Sequence, residues 1–160
     1  DGKWTEYYDD GTMGKEVNYK DGKRDGKWTI WDKNGQKKYE ETYKDGKEDG
    51  KWFSWYDNGQ KEEEGTYKVG KRDGLFTYWY ENGQKKSERT YKNGELDGLY
   101  TYWNEDGKKL EEGNYRDGKK DGIWTSWYDD GQKWSERIWK DGALISGKYW
   151  DEDGNEKECD

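Results

Sequence analysis

Apolar side chains arrive along this chain in short bursts, each followed by a polar stretch of similar length. From Leu75 to Tyr80 the sequence reads Leu-Phe-Thr-Tyr-Trp-Tyr, then Glu81-Asn82-Gly83 breaks the run, and Gln84 to Thr90 is polar before Tyr91. The same order returns every 24 residues, so Val69–Lys92 is one copy of a unit. Asp21–Lys44, Asp45–Lys68, Asn93–Arg116 and Asp117–Lys140 are the other full copies, with partial ones at 1–20 and 141–160. Apolar residues do not recur at a 3.6-residue period for long enough to make a helix. Aromatic residues and threonine suit a pleated surface. The pattern predicts two strands per unit, near Arg72–Tyr80 and Gln84–Tyr91 in this copy. No proline is present to forbid a strand from pairing on both sides.

Glycines supply the punctuation. Glycines at 11, 22, 35, 46, 59, 70, 83, 94, 107, 118, 131 and 142, each preceded by Asn or Asp except Gly70 after Val69, have spacings that alternate between 11 and 13. Glycine accepts the left-handed backbone that hairpin loops require, so each is read as a chain reversal, with three-residue loops throughout. In that register Tyr80 faces Gln84, Trp79 faces Lys85, Phe76 faces Glu88 and Tyr91 faces Glu95. One face then carries Phe76, Tyr78 and Tyr80. The other carries the rows Trp31, Trp55, Trp79, Trp103, Trp127 and Tyr43, Tyr67, Tyr91, Tyr115. Each Trp pairs with a lysine as a cation–π neighbour, Trp31 with Lys37 and so on to Trp127 with Lys133. Successive repeats come out about two residues out of step, near 7 Å at the strand rise. Either the strands tilt into a coiled ribbon, or a bulge at the third glycine of each period (26, 50, 74, 98, 122) resets them. The last copy has Ala143-Leu144-Ile145-Ser146 where others are charged, and Leu144 and Ile145 are expected to cover the final strands as a cap.

The expected fold is all-β: an elongated, single-layer antiparallel meander of stacked 24-residue hairpins, about 12 to 13 strands in one array over 1–160. Composition supports a thin sheet rather than a thick core. Only 27% of residues are hydrophobic, and 12 Trp, 15 Tyr and 2 Phe make up most of them. Charged residues reach 42%, a share that suggests disorder, but disordered chains are poor in aromatics and here the aromatics recur in register.

Charge narrows the partners. The net charge of −8 argues against nucleic acid, because phosphate binding needs a basic face. No segment is apolar for the 18 residues a membrane helix needs. No histidine is present, which removes His-based acid–base chemistry and the commonest metal ligand. The single cysteine, Cys159, has no partner for an internal disulfide and no base near it in sequence. Carboxylates such as Glu62-Glu63-Glu64 recur in every copy, whereas an active site is singular and recessed. Asp151–Glu156 misplaces the glycine of a calcium loop. The expectation is no catalytic residue, no metal and no cofactor.

The pattern D-G-x-W-x-x-W-Y-x-N-G-Q-K-x-x-E-x-x-Y-K-x-G-K resembles the MORN repeat in its bacterial second variant. Asp49, Gly50, Trp52, Trp55, Tyr56, Asn58, Gly59, Gln60, Lys61, Glu64, Tyr67, Lys68, Gly70 and Lys71 carry the match, which extends over essentially the whole chain. The resemblance implies stacked hairpins in an elongated antiparallel sheet. It also implies kinship with YwqK-type antitoxins, which neutralise a partner toxin, and with eukaryotic scaffolds. A membrane surface is disfavoured here by the lack of a basic face. The function expected is a non-enzymatic protein-binding or scaffold protein, in its sharpest form an antitoxin-like inhibitor of a basic partner. The Trp and Tyr rows are its candidate binding face. The alternative is a structural protein that self-associates through its edge strands.

Overall fold

The computed structural model describes residues 1–157, so Cys159 lies outside the described residues. Every regular element among them is a strand. These are β1 (Gly2–Tyr7), β2 (Met13–Lys20), β3 (Lys23–Trp31), β4 (Lys37–Lys44), β5 (Lys47–Trp55), β6 (Lys61–Lys68), β7 (Lys71–Arg72), β8 (Gly74–Trp79), β9 (Lys85–Lys92), β10 (Glu95–Trp103), β11 (Lys109–Arg116), β12 (Lys119–Trp127), β13 (Lys133–Lys140), β14 (Ala143–Trp150) and β15 (Glu156–Lys157). They form one open antiparallel sheet in which each strand lies beside its sequence neighbours, with β7 and β8 both pairing β6 as two halves of one strand. The expected meander is the fold.

The two reversals in each unit differ. At one edge, turns such as Tyr80–Gln84 are closed by Gly83 N–H to Tyr80 O (2.9 Å) and Tyr80 N–H to Gln84 O (2.9 Å). At the other edge the loop has two residues, not the expected three: Lys92 pairs with Glu95, and only Asn93 and Gly94 lie between. Both have positive φ, 53° and 92°. Successive left-handed residues make the mirror-image turn whose twist matches paired strands. Each such glycine also donates to the preceding unit, as in Gly94 N–H to Arg72 O at 2.9 Å, so the edge is stitched from repeat to repeat.

Of the two ways to absorb the mismatch between repeats, the bulge at the third glycine is the one present. Leu96 pairs with Tyr91 but Tyr100 pairs with Arg89, so four residues of β10 span two of β9. Gly98 sits inside that step at φ 123°. A second irregularity was not foreseen. Tyr78 pairs with Ser87 but Trp79 with Lys85, which leaves Lys86 as an extra residue on β9. Phe76 therefore faces Arg89, and Thr77 faces Glu88. An extra residue in one strand shifts its upstream side chains to the opposite face relative to a simple count.

Leu144 and Ile145 do not cap the array. They are 49% and 60% exposed. Leu144 pairs with Trp139 and Ser146 with Ile138, so Ile145 is the extra residue of a bulge. Only Tyr149 and Trp150 of β14 gain partners on β15.

Candidate functional site

The bulge after each Asn-Gly turn divides the nine candidate residues between the two faces. Trp55 shares a side of β5 with Phe53, ring centroids 5.9 Å apart. Tyr67 instead packs edge-on against Trp52, at 6.0 Å, on the other side. The Trp row and the Tyr row therefore do not form one surface, contrary to the expectation from three-residue loops.

On the tryptophan face, Trp31, Trp55, Trp79, Trp103 and Trp127 are all half-buried. Lysines fill the spaces between them. Each lysine pairs in register with its own Trp, but the ring it lies over belongs to the next repeat. Lys37 Nζ is 5.7 Å from Trp55, Lys61 5.2 Å from Trp79, Lys85 6.0 Å from Trp103 and Lys109 5.6 Å from Trp127. Each lysine also pairs with the glutamate three residues on, as in Lys37–Glu40 and Lys133–Glu136 at 2.7 Å. The result is a Trp–Lys–Trp ladder neutralised from below by Glu40, Glu64, Glu88, Glu112 and Glu136. Exposed cation–π contacts of this kind contribute roughly 0.5–1 kcal/mol each. Acidic excess sits at the turns instead: Asp57, Glu81, Glu105 and Asp129, each two residues past a Trp, are exposed.

Beside that ladder the two halves of the tryptophan face differ. Lys3, Lys27 and Lys51 occupy one register position in the N-terminal half, and Leu75, Leu99 and Ile123 occupy it in the C-terminal half. Leu75, Leu99 and Ile123 are 53%, 47% and 56% exposed, and Ile138, paired opposite Ile123, is 44% exposed. These are large aliphatic groups left in water in three consecutive repeats, with Thr90 opposite Leu75, Asn114 opposite Leu99 and Ile138 opposite Ile123. Sequence reading passed over these residues because it followed the aromatics.

The tyrosine face is packed. Tyr43 is buried, and the rings lie back along the sheet onto the preceding strand. Phe76 sits between Tyr67 and Tyr91, edge-on to both at 5.5 and 5.2 Å, with the Arg72 guanidinium 4.8 Å from its ring centre. Trp124 sits between Tyr100 (stacked, 5.6 Å) and Tyr115 (edge-on, 5.0 Å), under Lys120 Nζ at 3.7 Å. Its Nε1–H donates to Asn114 O at 3.0 Å. Both Phe76 and Trp124 are fully buried, although only one layer of backbone exists. Glycine makes this possible. A Cβ on Gly65 would lie 2.3 Å from the Phe76 ring, and one on Gly113 2.2 Å from the Trp124 ring. Elsewhere that position holds Val17, Glu41, Arg89 or Arg137. The signal for this was two mid-strand glycines outside any turn.

Neighbouring acids report the difference between the faces. Glu40 lies on the lysine side. Burial alone would raise its pKa, but hydrogen bonds from Lys37 and Lys27 outweigh burial and hold it below the usual 4.5. Glu41 lies on the tyrosine side, where burial pushes it above 4.5 despite the hydrogen bond it accepts from Tyr43.

The Trp row is fixed from its turn edge. Tyr8, Tyr56, Tyr80 and Tyr128 donate their hydroxyls to the carbonyls of Trp31, Trp79, Trp103 and Trp150 at 2.6–2.9 Å. Where Asp32 and Asn104 replace the tyrosine, their side chains instead accept from their own turn's N–H groups. The depressions between side chains, such as that lined by Tyr39, Trp55, Tyr56 and Glu81, are open to solvent. Among the described residues no group of three or more acids and cysteines is placed to hold a metal ion, and no helix is long and apolar enough to cross a membrane.

No curated protein matches the chain. A family model described as a MORN repeat variant matches it six times in succession, at 1–21, 24–45, 48–68, 72–93, 96–117 and 120–141. MORN repeats are non-catalytic and generally serve as scaffolds that bind proteins or membranes. Six contiguous matches, on a sheet built from the same hairpin each time, place this chain in the MORN repeat variant family.

Proposed function

We propose that this protein is a non-enzymatic scaffold that binds another protein through its tryptophan face. The observation that carries the reading is the C-terminal half of that face. There Leu75, Leu99, Ile123 and Ile138 stand exposed beside Trp79, Trp103 and Trp127. Half-buried tryptophans supply large contact area at small entropic cost, and the exposed aliphatic groups add area that leaves water on binding. The acidic turn residues Glu81, Glu105 and Asp129 form a rim along this surface. With a net charge of −8 they favour a basic partner by steering and by rejecting acidic ones. Inhibition of such a partner, as an antitoxin would, is the sharpest form of this reading. The Tyr row, being packed, contributes support rather than contact.

The test is affinity capture from the source cell with the wild-type chain and with a Leu75→Lys, Leu99→Lys, Ile123→Lys variant. That variant carries in the C-terminal half the lysines that the N-terminal half already has. The expected result is a stoichiometric basic protein retained by wild type and lost from the variant. Equal capture by both, or no stoichiometric protein with wild type, overturns the reading.

A further inference from the structure

We propose that the tyrosine face carries a single binding site for a peptide carboxylate, an Asp or Glu side chain of a partner, centred on Arg89. This face lies opposite the tryptophan row, so the site stands or falls independently of that surface.

The chain has five arginines. Arg72 bonds Glu63 at 2.9 Å and three tyrosine hydroxyls. Arg137 donates to Glu111 and Ser126, Arg116 pairs with Asp121, and Arg24 donates to the Tyr43 hydroxyl. Arg89 alone makes neither a hydrogen bond nor an ion pair among the described residues; its Nε is buried without a partner, as is that of Arg137. A guanidinium has five N–H donors in a planar fork and keeps its charge, so on this half-buried side chain the buried Nε–H is costly to leave without an acceptor and the other donors are free for an outside group.

The sister repeat shows why Arg89 is left over. Ser87-Glu88-Arg89 recurs as Ser135-Glu136-Arg137, 48 residues later. Arg137 reaches Glu111 at 3.4 Å, alongside Lys120 at 3.1 Å, and the small Ser126. The residues matching those two, 48 residues earlier, are Glu63 and Tyr78. Both are taken by Arg72, whose NH1 donates to the Tyr78 hydroxyl at 2.8 Å. Arg72 stands where the sister repeat has Lys120, and with Tyr78 in place of Ser126 it holds both acceptors, so Arg89 is left without a carboxylate.

The surroundings offer donors to an anion, although one carboxylate, Glu111, already lies near Tyr100 and Tyr115. Arg89 lies between the rings of Tyr78 (4.6 Å) and Tyr100 (5.9 Å), which hold the guanidinium by stacking. Tyr100 and Tyr115 pack against each other at 5.8 Å, and neither hydroxyl makes a hydrogen bond among the described residues. Ser87, two residues before Arg89, is fully buried with an unpartnered hydroxyl, as is Ser135 in the sister repeat. A carboxylate accepts two parallel bonds from a guanidinium fork and further bonds from phenols, and charge-assisted bonds are the strong ones.

The test is an NMR titration of the Arg89 Nε–H signal with the peptide acetyl-Gly-Glu-Gly-amide. Its Gln analogue and inorganic phosphate serve as separate arms. The expected result is a saturable shift with the Glu peptide, none with the Gln peptide, and no movement of the Arg137 signal. Arg89→Gln should weaken binding by about tenfold or more, the loss typical of a charge-assisted bond. The double variant Tyr100→Phe, Tyr115→Phe keeps the rings and should weaken it by a smaller factor, with Arg89→Gln checked for retained fold by circular dichroism. A shift with phosphate but not with the Glu peptide overturns the carboxylate assignment. So does an equal response to the Gln peptide, an equal shift at Arg137, or binding that survives Arg89→Gln in a folded variant.

Discussion

The two faces of this sheet solve one problem in different ways. A single layer has no second sheet to bury its side chains against. On the tyrosine face, rings lie flat over the neighbouring strand, and where that strand offers glycine the ring is fully buried, as Phe76 over Gly65 and Trp124 over Gly113 show. On the tryptophan face, rings stand in a row with lysines between them and stay half-exposed. One face thus takes the part of a core and the other is left as a surface. The same residue type plays both parts, since Trp124 and Trp127 are three positions apart on one strand.

The contrast should be largest when the rings are removed. Trp124→Ala is expected to cost about 3–5 kcal/mol, the range for deleting a fully buried large aromatic. Trp103→Ala, on the exposed row, should cost about 1 kcal/mol, mostly a lost cation–π contact and partial burial. Urea denaturation of both variants checks this, and equal losses would erase the distinction between the faces. Gly113→Ala comes next. With a Cβ placed 2.2 Å from the Trp124 ring, the ring must lift, at an expected cost of about 2–3 kcal/mol. Adding the same methyl at Gly118, in a turn with nothing within 4 Å, meets only backbone strain.

A gain is expected at Val69. It sits at φ 50°, in the turn position that Asp21, Asp45, Asn93, Asp117 and Asp141 occupy in other repeats. A β-branched residue is poorly suited to that conformation and Asn is well suited, so Val69→Asn should raise stability by about 1 kcal/mol. The melting temperature reads it out. The smallest effect, and the sharpest for the faces, is the titration of adjacent Glu40 and Glu41. Glu40 should titrate below 4.5, so its contribution is complete above that pH and is lost as pH falls through its lowered value. Glu41 should titrate above 4.5; ionised, it weighs against folding, and that penalty lifts as pH falls through its raised value. Carboxyl carbon shifts followed by NMR from pH 2 to 7 would show the two curves separating in those directions.

Much of the fold was legible because glycine spacing fixes reversals and aromatic runs fix strands. The two-residue mismatch leaves strand tilt and a bulge at Gly26, Gly50, Gly74, Gly98 and Gly122 both open, and the structure has the bulge. The face list failed for a local reason. Trp79 opposite Lys85 is right, but the extra residue at Lys86 moves Glu88 from Phe76 to Thr77, and every upstream parity inverts. No residue type marks that bulge, since Lys86 is an ordinary strand residue. The lysine pairing was half legible: composition shows Trp and Lys in register, but only geometry shows that Lys61 reaches forward to Trp79. Arg89 was invisible because its isolation depends on Arg72 reaching Glu63 and Tyr78 first.

The measurement that bears most directly on the two-faced sheet is the cross-strand NOE pattern between β8 and β9. Contacts of Phe76 with Arg89 and of Thr77 with Glu88 are predicted, with Tyr91 on the side of Phe76 and Trp79 on the other. Contacts of Phe76 with Glu88 would return Trp79 and Tyr91 to one face and contradict the account.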